Sequence, residues 1–248
     1  KHDGKYILAY SAAGTENREY AMGQAIGTSP LGTFAKPRDN PFLRKTTGLI
    51  TGTSHGAVAK GPDGDYWVVY TIRASTVHWF ERRIGMDRIR FNADGSIAAM
   101  SPSELPQFAA GAGVGDLGWE RLSGKVPSDA VSAVDDDLST FWTASKLPAE
   151  LVVDFGETKE VRAFRLIWRD GGLDTERGVK RGPFRYRVEA QNAEGSWRTL
   201  VDASANSRDL LVDYRETSAV KARRIWLSVL DAPKGIVPQV VDFAVFGL

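Results

Sequence analysis

The 248-residue sequence contains no cysteine, which excludes disulfides, zinc–thiolate sites and thiol nucleophiles. It also lacks any apolar run close to the roughly 20 residues that a membrane-spanning helix needs, so no membrane insertion is expected. An excess of one charge sign is missing too: 32 basic residues stand against 31 acidic ones. This balance gives no electrostatic reason to expect nucleic acid as a partner.

Long stretches of helical periodicity are almost absent, and short strand-like runs recur between Gly and Asp residues. In the first half, three Asp-Gly pairs adjoin such runs, at residues 3–4, 63–64 and 94–95. Asp-Gly between strand-like runs is the strongest short-range signal for a hairpin. Successive hairpins at this spacing predict a β-meander, which is the unit of a propeller blade.

The second half also consists of strand-like runs, including ELVVDFG, VRAFRLIW, FRYRVEAQ, RRIWLSVL and VDFAVFG. About 130 residues of this kind predict an antiparallel β-sandwich or jelly roll. The small, flexible stretch AAGAGVGDLG separates the two halves. We therefore predict an all-β chain with blades at 1–107, a linker at 108–118 and a sandwich at 119–248.

The ordered segments DGKYILAYS, YAMGQAIGTSPLGTF, TGTSHGAVAKGPDGDYWVVYT and RIGMDRIRFNADGSI resemble the C-terminal portion of glycoside hydrolase family 43. The resemblance covers roughly residues 3–107. It implies the last blades of a five-bladed β-propeller, a partial propeller here, and hydrolysis of arabinan- or xylan-type bonds with inversion in a full-length parent.

Inverting hydrolysis needs two carboxyl groups roughly 6.5–9.5 Å apart. In the family, both groups precede the segments that match here. We therefore expect the chain to be a C-terminal piece whose N-terminal blades are missing, and we expect no catalytic residue in it. The carboxylates of Asp3, Glu16, Glu19 and Asp63 are assigned to turns and the surface.

Three residues of the first half are candidates for supporting roles. The resemblance implies that His55 lies in the central channel, where it would contact an ion or water. Arg73 could reach the substrate cleft, because guanidinium groups hydrogen-bond sugar hydroxyls. Trp79 could stack on a pyranose ring. The alternatives are a hydrogen-bonded loop histidine, a surface or inter-blade ion pair and an aromatic ring buried between blades.

In the second half, SAVDDDLSTFWTA, then ELVVDFG, and finally VDFAVFG resemble the coagulation factor 5/8 type C, or discoidin, domain and the related carbohydrate-binding family 32. Asp136 stands where glycine is usual. The resemblance implies a structural Ca²⁺ site made by Asp135, Asp137, Thr140 and Asp242, and hard cations do prefer many oxygen ligands. The alternative is an Asp-rich turn that caps backbone N–H groups. No organic cofactor is expected.

The segment 168–184 is the best candidate for a sugar-binding loop in the discoidin-like part. It is long and polar, and loops of this length in compact domains are usually functional or mobile. Arg169, Asp170 and Arg181 could hydrogen-bond sugar hydroxyls, so the expected partner is a polysaccharide or oligosaccharide. A solvated insertion or an interdomain contact is the alternative for this segment.

The leading hypothesis is thus a polysaccharide-degrading glycoside hydrolase with an appended sugar-binding module. It would be secreted from a bacterium or located in the periplasm. A non-catalytic carbohydrate-binding or adhesion protein that uses the discoidin domain is the alternative, and a structural module without a sugar ligand is a third possibility.

The chain by itself is expected to release no 4-nitrophenol from aryl arabinosides or xylosides, because the family's carboxyl pair is not among its matched segments. The measurement is absorbance at high protein concentration. Turnover that stays with the chain through chromatography would contradict this expectation.

Overall fold

A computed structural model of the chain describes residues 1–73, 75–76, 82–113, 117–169, 171 and 182–248. In these residues, strands are accompanied by a single short 3-10 helix at Ser128–Ala133, which confirms the all-β prediction. No helix among them is long and apolar enough to cross a membrane. The chain divides into two compact units, Lys1–Asp116 (unit 1) and Leu117–Leu248 (unit 2).

Unit 1 contains two small antiparallel sheets. Its strands are β1 (Tyr6–Ala12), β2 (Ala21–Gly27), β3 (Thr51–Lys60), β4 (Tyr66–Arg73) and β5 (Arg82–Arg88). Strands β1 and β2 form the first sheet, and β3, β4 and β5 pair in that order in the second sheet. Three strands in sequence make a meander, whereas a propeller blade has four. The assignment of these sheets to blades therefore stays a prediction.

All three Asp-Gly pairs of unit 1 lie in tight turns, as predicted. Gly4, Gly64 and Gly95 have φ angles of 75°, 86° and 79°, a region that glycine enters without steric cost. The 63–64 pair joins β3 to β4, and isolated bridges flank the other two turns. Local turn chemistry thus sets the connection between β3 and β4.

The core of unit 1 is built from apolar side chains of β2, β4 and the segments around them. It comprises Met22, Phe42, Leu43, Val68, Tyr70, Ile89 and Ile97. Gln24 is also fully buried there, and its side-chain amide exchanges two hydrogen bonds with the backbone of Ile97, at 2.6 and 2.8 Å. A buried amide is tolerated because both of its polar atoms are satisfied.

A second buried polar contact fixes the segment after β5. The Tyr70 hydroxyl donates to the Asp87 carboxylate, which also accepts from Gln107 Nε2 at 3.1 Å and from the Ser103 backbone N–H at 3.3 Å. Burial raises the pKa of Asp87, while these hydrogen bonds oppose that rise. The carboxylate therefore ties residues 103–107 to β4 and β5.

Unit 2 is one antiparallel sheet of seven strands, in the order β10-β9-β11-β8-β12-β6, with β7 also paired to β12. The strands are β6 (Glu120–Arg121), β7 (Trp142–Thr143), β8 (Ala149–Trp168), β9 (Arg185–Gln191), β10 (Trp197–Ala203), β11 (Val212–Asp231) and β12 (Gln239–Gly247). Strands β8 and β11 each run for 20 residues, and their pairing shifts register twice near the middle. Such irregularities bend strands.

Replacing Tyr70 by Phe is expected to lower the free energy of unfolding of unit 1 by about 1.5–3 kcal/mol, because a buried hydrogen bond to a carboxylate is lost. Tyr66→Phe is the matched control: Tyr66 lies on the same strand, and its ring packs edge-on against His2 and Phe91. That change should stay within about 0.5 kcal/mol. Denaturant titration measures both variants, and equal losses would contradict the assignment.

Candidate functional site

His55 lies in β3 and is exposed. Its φ angle is 51°, which is uncommon for a residue with a side chain. Its backbone N–H donates to Ser11 Oγ at 3.1 Å. The small neighbour Gly56 has a clear packing reason, since a Cβ there would lie 2.3 Å from the Val69 carbonyl oxygen. The close approach is thus to strand β4, and the ion or water contact of His55 stays a prediction.

Three arginines lie close together beside Gly52, and we call Arg18, Arg73 and Arg82 the arginine cluster. Arg73 and Arg82 face each other across β4 and β5, and the Gly52 N–H donates to the Arg18 carbonyl. Burial and the positive charges of Arg18 and Arg82 lower the pKa of Arg73. This site repels cations and would stabilise a carboxylate or another anion.

Two polar side-chain atoms, one in this cluster and one on the residue after Gly52, are buried and have no hydrogen-bond partner among the described residues. Arg82 donates to the Thr15 carbonyl and hydroxyl through Nη2, but its Nη1 has no hydrogen-bond partner in the structure as described. The hydroxyl of Thr53, a fully buried residue, is likewise unsatisfied. Buried donors without acceptors are costly, so they mark a place where an acceptor would bind favourably.

Three of the predicted sugar-contacting residues, Trp79, Asp170 and Arg181, lie outside the described residues. Arg169 is described, and it directly follows the last residue of β8. Its guanidinium carbon lies 4.2 Å from the centroid of the Phe141 ring, and its Nη1 donates to Gln239 Oε1 at 2.9 Å. A cation over an aromatic face is held in orientation, so this end of unit 2 presents a preset guanidinium group.

The residues predicted to bind Ca²⁺ fall into two separate groups. Asp135 accepts from Thr140 Oγ1 at 2.7 Å, and Asp137 accepts from the Ser139 backbone and hydroxyl at 2.8 and 2.6 Å. This is the pattern of an Asp-rich turn, in which side chains cap nearby N–H and O–H groups. The fourth residue, Asp242, belongs to a different set of contacts.

Asp242 is a fully buried carboxylate between two arginines. It accepts from Arg121 Nη2 at 2.5 Å and from Arg165 Nη2 at 3.0 Å, and Arg121 Nη1 also donates to Asp136 at 3.0 Å. Asp136 has a φ angle of 61°, which explains why glycine is usual at this position. Asp136 adopts this strained backbone conformation, and its carboxylate accepts a hydrogen bond from Arg121.

Both carboxylate oxygens of Asp242 already accept from guanidinium groups, Oδ1 from Arg121 and Oδ2 from Arg165. Within the described ranges, no three His, Asp or Glu side chains lie together in an arrangement that would hold a metal ion. The four predicted ligands therefore do not fit Ca²⁺ as one set. Calcium binding at the turn of Asp135, Asp137 and Thr140 stays a prediction.

Sequence reasoning missed the arginine partners of Asp242, although a signal was present. Arg165 interrupts the apolar run VRAFRLIW, and Asp242 interrupts VVDFAVFG. A charged residue inside an apolar strand needs a partner of opposite charge, because its burial is otherwise very costly. The two residues are diagonal neighbours across β8 and β12, since Asp242 pairs with Ile167 and Ala244 with Arg165.

Asp242→Asn is expected to destabilise unit 2 by about 3–5 kcal/mol, because it leaves two guanidinium groups beside a neutral amide. The control Asp202→Asn changes an exposed carboxylate that pairs with Arg187 at 3.1 Å, and should cost at most about 1 kcal/mol. Guanidinium chloride titration monitored by circular dichroism compares the two. A loss at Asp242 no larger than that at Asp202 would show that the buried pairing is not needed.

Comparisons with solved structures give similarities over one or both units. A protein described as a glycoside hydrolase is 19% identical, with a TM-score of 0.44; the match covers 99% of this chain and 58% of that one. CpGH89CBM32-4 of Clostridium perfringens, in complex with GlcNAc-α-1,4-galactose, is 15% identical, with 55% and 100% covered and a TM-score of 0.43. An endo-1,4-β-xylanase of Bacteroides thetaiotaomicron is 28% identical, with 40% and 35% covered and a TM-score of 0.36.

The chain thus spans 58% of the length of the first of these proteins. No curated protein matches it. Family comparisons match residues 1–97 to glycosyl hydrolases family 43 and residues 132–227 to the NedA-like, galactose-binding domain. These two matches confirm both resemblances predicted from the sequence: a family 43 segment comes first, and a galactose-binding-type domain of the factor 5/8 type C class follows it.

Proposed function

We propose that the chain is the C-terminal part of an inverting glycoside hydrolase acting on arabinan- or xylan-type bonds, with unit 2 as its sugar-binding module. The family matches support this combination. A module that holds its enzyme on a polymer raises the effective concentration of cleavable bonds. Because polysaccharides of this kind are extracellular, a secreted or periplasmic location belongs to the same proposal.

Three carboxylates of unit 1 make contacts that stabilise the fold, and we place the catalytic pair in other blades of a parent protein. Asp63 pairs with Arg88, Glu104 with Lys45, and Asp87 accepts from Tyr70. Carboxylates engaged in this way hold the fold together and are not poised as the acid and base of hydrolysis. Further blades of such a parent would carry those two groups.

The arginine cluster supports a position of unit 1 next to that catalytic pair. Burial and the positive charges of Arg18 and Arg82 lower the pKa of Arg73, and a nearby carboxylate would oppose that effect. A guanidinium group can hydrogen-bond a catalytic carboxylate and a sugar hydroxyl together. We assign Arg73 and Arg82 to this role, with His55 as an ion or water ligand nearby.

Sugar binding by unit 2 is carried by the preset guanidinium group of Arg169. The Phe141 ring and Gln239 orient this group at the edge where the 170–181 segment begins. Gly171 packs close to the Gln239 side chain, since a Cβ at position 171 would lie 3.1 Å from Gln239 Oε1. An oriented guanidinium group loses little entropy on binding, and it can donate to two adjacent hydroxyls. Asp170 and Arg181 would complete the site.

Arg169→Ala is expected to weaken binding of the chain to arabinan, xylan or galactan about tenfold, because hydrogen bonds from a charged donor are lost. Affinity gel electrophoresis measures the retardation. Arg187→Ala is the control, since Arg187 forms an exposed ion pair with Asp202 on β9 and β10. If the Arg169→Ala variant and the wild type are retarded equally, Arg169 does not contribute to sugar binding. Absence of retardation on every polymer would favour the purely structural alternative.

A further inference from the structure

We propose that unit 2 has a second saccharide site, centred on Trp197, which nothing in the sequence analysis or the family matches assigns. We call it the Trp197 cleft. It has a volume of about 510 Å³ and lies between the β9–β10 hairpin, Thr158 of β8 and Lys221 of β11. This volume is in the range of small-ligand sites. The proposal extends the sugar-binding function of unit 2 and rests on it.

The Trp197 cleft is separate from the Arg169 site. Thr158 lies at the bend of β8, whereas Arg169 follows the end of the same strand at Trp168. Ten residues of strand between Thr158 and Trp168 correspond to roughly 30 Å. A single mono- or disaccharide cannot contact both places, so binding at each is measurable independently.

Trp197 provides a fixed aromatic surface in the cleft. It is 41% exposed, which is unusual for so large an apolar side chain. Its ring packs edge-on against Trp226, with the centroids 5.0 Å apart and an interplanar angle of 70°. Because Trp226 holds the indole in place, a ligand stacking on its exposed part would lose little side-chain entropy.

The hairpin next to Trp197 contributes polar groups that the protein leaves available. Asn192 uses its side-chain oxygen to accept from the Ser196 N–H at 2.8 Å, which orients its amide NH₂ group. In the described part of the chain, this NH₂ group and the Glu194 carboxylate have no hydrogen-bond partner. The turn itself is fixed, because Gly195 has a φ angle of 87° and its N–H donates to the Asn192 carbonyl.

Two basic side chains complete the cleft. Lys221 has no ion pair among the described residues, and Arg198 makes only a long contact of 3.5 Å with Ser218 Oγ. Donors of Asn192, Arg198 and Lys221 therefore face the same space as an acceptor from Glu194. These groups are hydrated until a polar ligand replaces the water.

This combination fits a saccharide better than other ligands. A pyranose has one face of C–H groups, which suits the indole, and hydroxyls at its edge that both donate and accept. A purely apolar ligand would leave the charged groups desolvated without partners. A nucleic acid would need an excess of positive charge, whereas Glu194 offsets one of the two cations.

The test follows Trp197 directly by ¹⁹F NMR of the full chain labelled with 5-fluorotryptophan. The seven tryptophans give seven signals, and the one that disappears in Trp197→Phe belongs to Trp197. Titration with xylohexaose, arabinohexaose and galactobiose should shift this signal to saturation with at least one of them. A Trp197 signal that stays fixed with all three sugars would overturn the proposal.

Glu194→Ala should weaken the titration about tenfold, because a charged hydrogen-bond acceptor for the sugar is lost. Glu150→Ala is the matched control: Glu150 is exposed on β8 and does not line the cleft. The Glu194→Ala and Glu150→Ala variants should have equal melting temperatures, since both carboxylates are exposed. Equal affinities of the two variants would contradict the assigned contacts.

The Arg169→Ala variant separates this proposal from the proposed function. The Trp197 signal should still shift in that variant, because the two sites are far apart. If the shift of the Trp197 signal is lost in the Arg169→Ala variant, Trp197 reports binding at the Arg169 site, and the proposed Trp197 cleft is overturned. If the Arg169→Ala substitution reduces retardation but the Trp197 signal does not shift with any sugar, the Trp197 cleft is overturned and the proposed function stands.

Discussion

The pairing of Asp242 with Arg121 and Arg165 is the constraint on which unit 2 depends. Asp242 lies on β12, where every residue from Val240 to Gly247 is buried. A bare carboxylate in such a place would cost several kcal/mol, so the strand can occupy this position only with its counter-charges present. Arg165 comes from the neighbouring strand and Arg121 from the short strand on the other side.

The same contact connects the Asp-rich turn to the sheet. Arg121 reaches Asp242 with one guanidinium nitrogen and Asp136 with the other, so the turn is positioned by an arginine from β6. In the resemblance, a cation was expected to link the turn to the C-terminal carboxylate. Here a guanidinium group makes a link between these two segments, with Asp136 as the contributing residue of the turn.

Local features of the fold could be predicted from the sequence. The three Asp-Gly pairs predict turns of unit 1 that the structure contains, and the quoted segment YAMGQAIGTSPLGTF includes strand β2. Strand β5 begins at Arg82, which pairs with Arg73 and precedes the quoted segment RIGMDRIRFNADGSI. Two basic residues opposite each other give no strand-like apolar signal. Strand β5 therefore begins before the apolar residues that indicate it in the sequence.

The site residues were predicted less completely, because their partners are far apart in sequence. Arg121 and Asp242 are 121 positions apart, and no spacing rule connects them. Arg169 could be proposed from its place in a polar loop, but its orientation by Phe141 depends on packing across strands. Trp197 begins an ordinary strand, and the space beside it is lined by residues of β8, β9, β10 and β11, which are far apart in sequence.

The left-handed backbone of Asp136 has a consequence for sequence change within this fold. Glycine at that position would release the steric strain but would also remove the carboxylate that binds Arg121. An Asp136→Gly change would therefore free Arg121 Nη1, whereas the contact of Arg121 Nη2 with the buried Asp242 would remain. The turn would lose the ion pair that Asp136 makes with β6, while the buried carboxylate of Asp242 would keep its guanidinium partners.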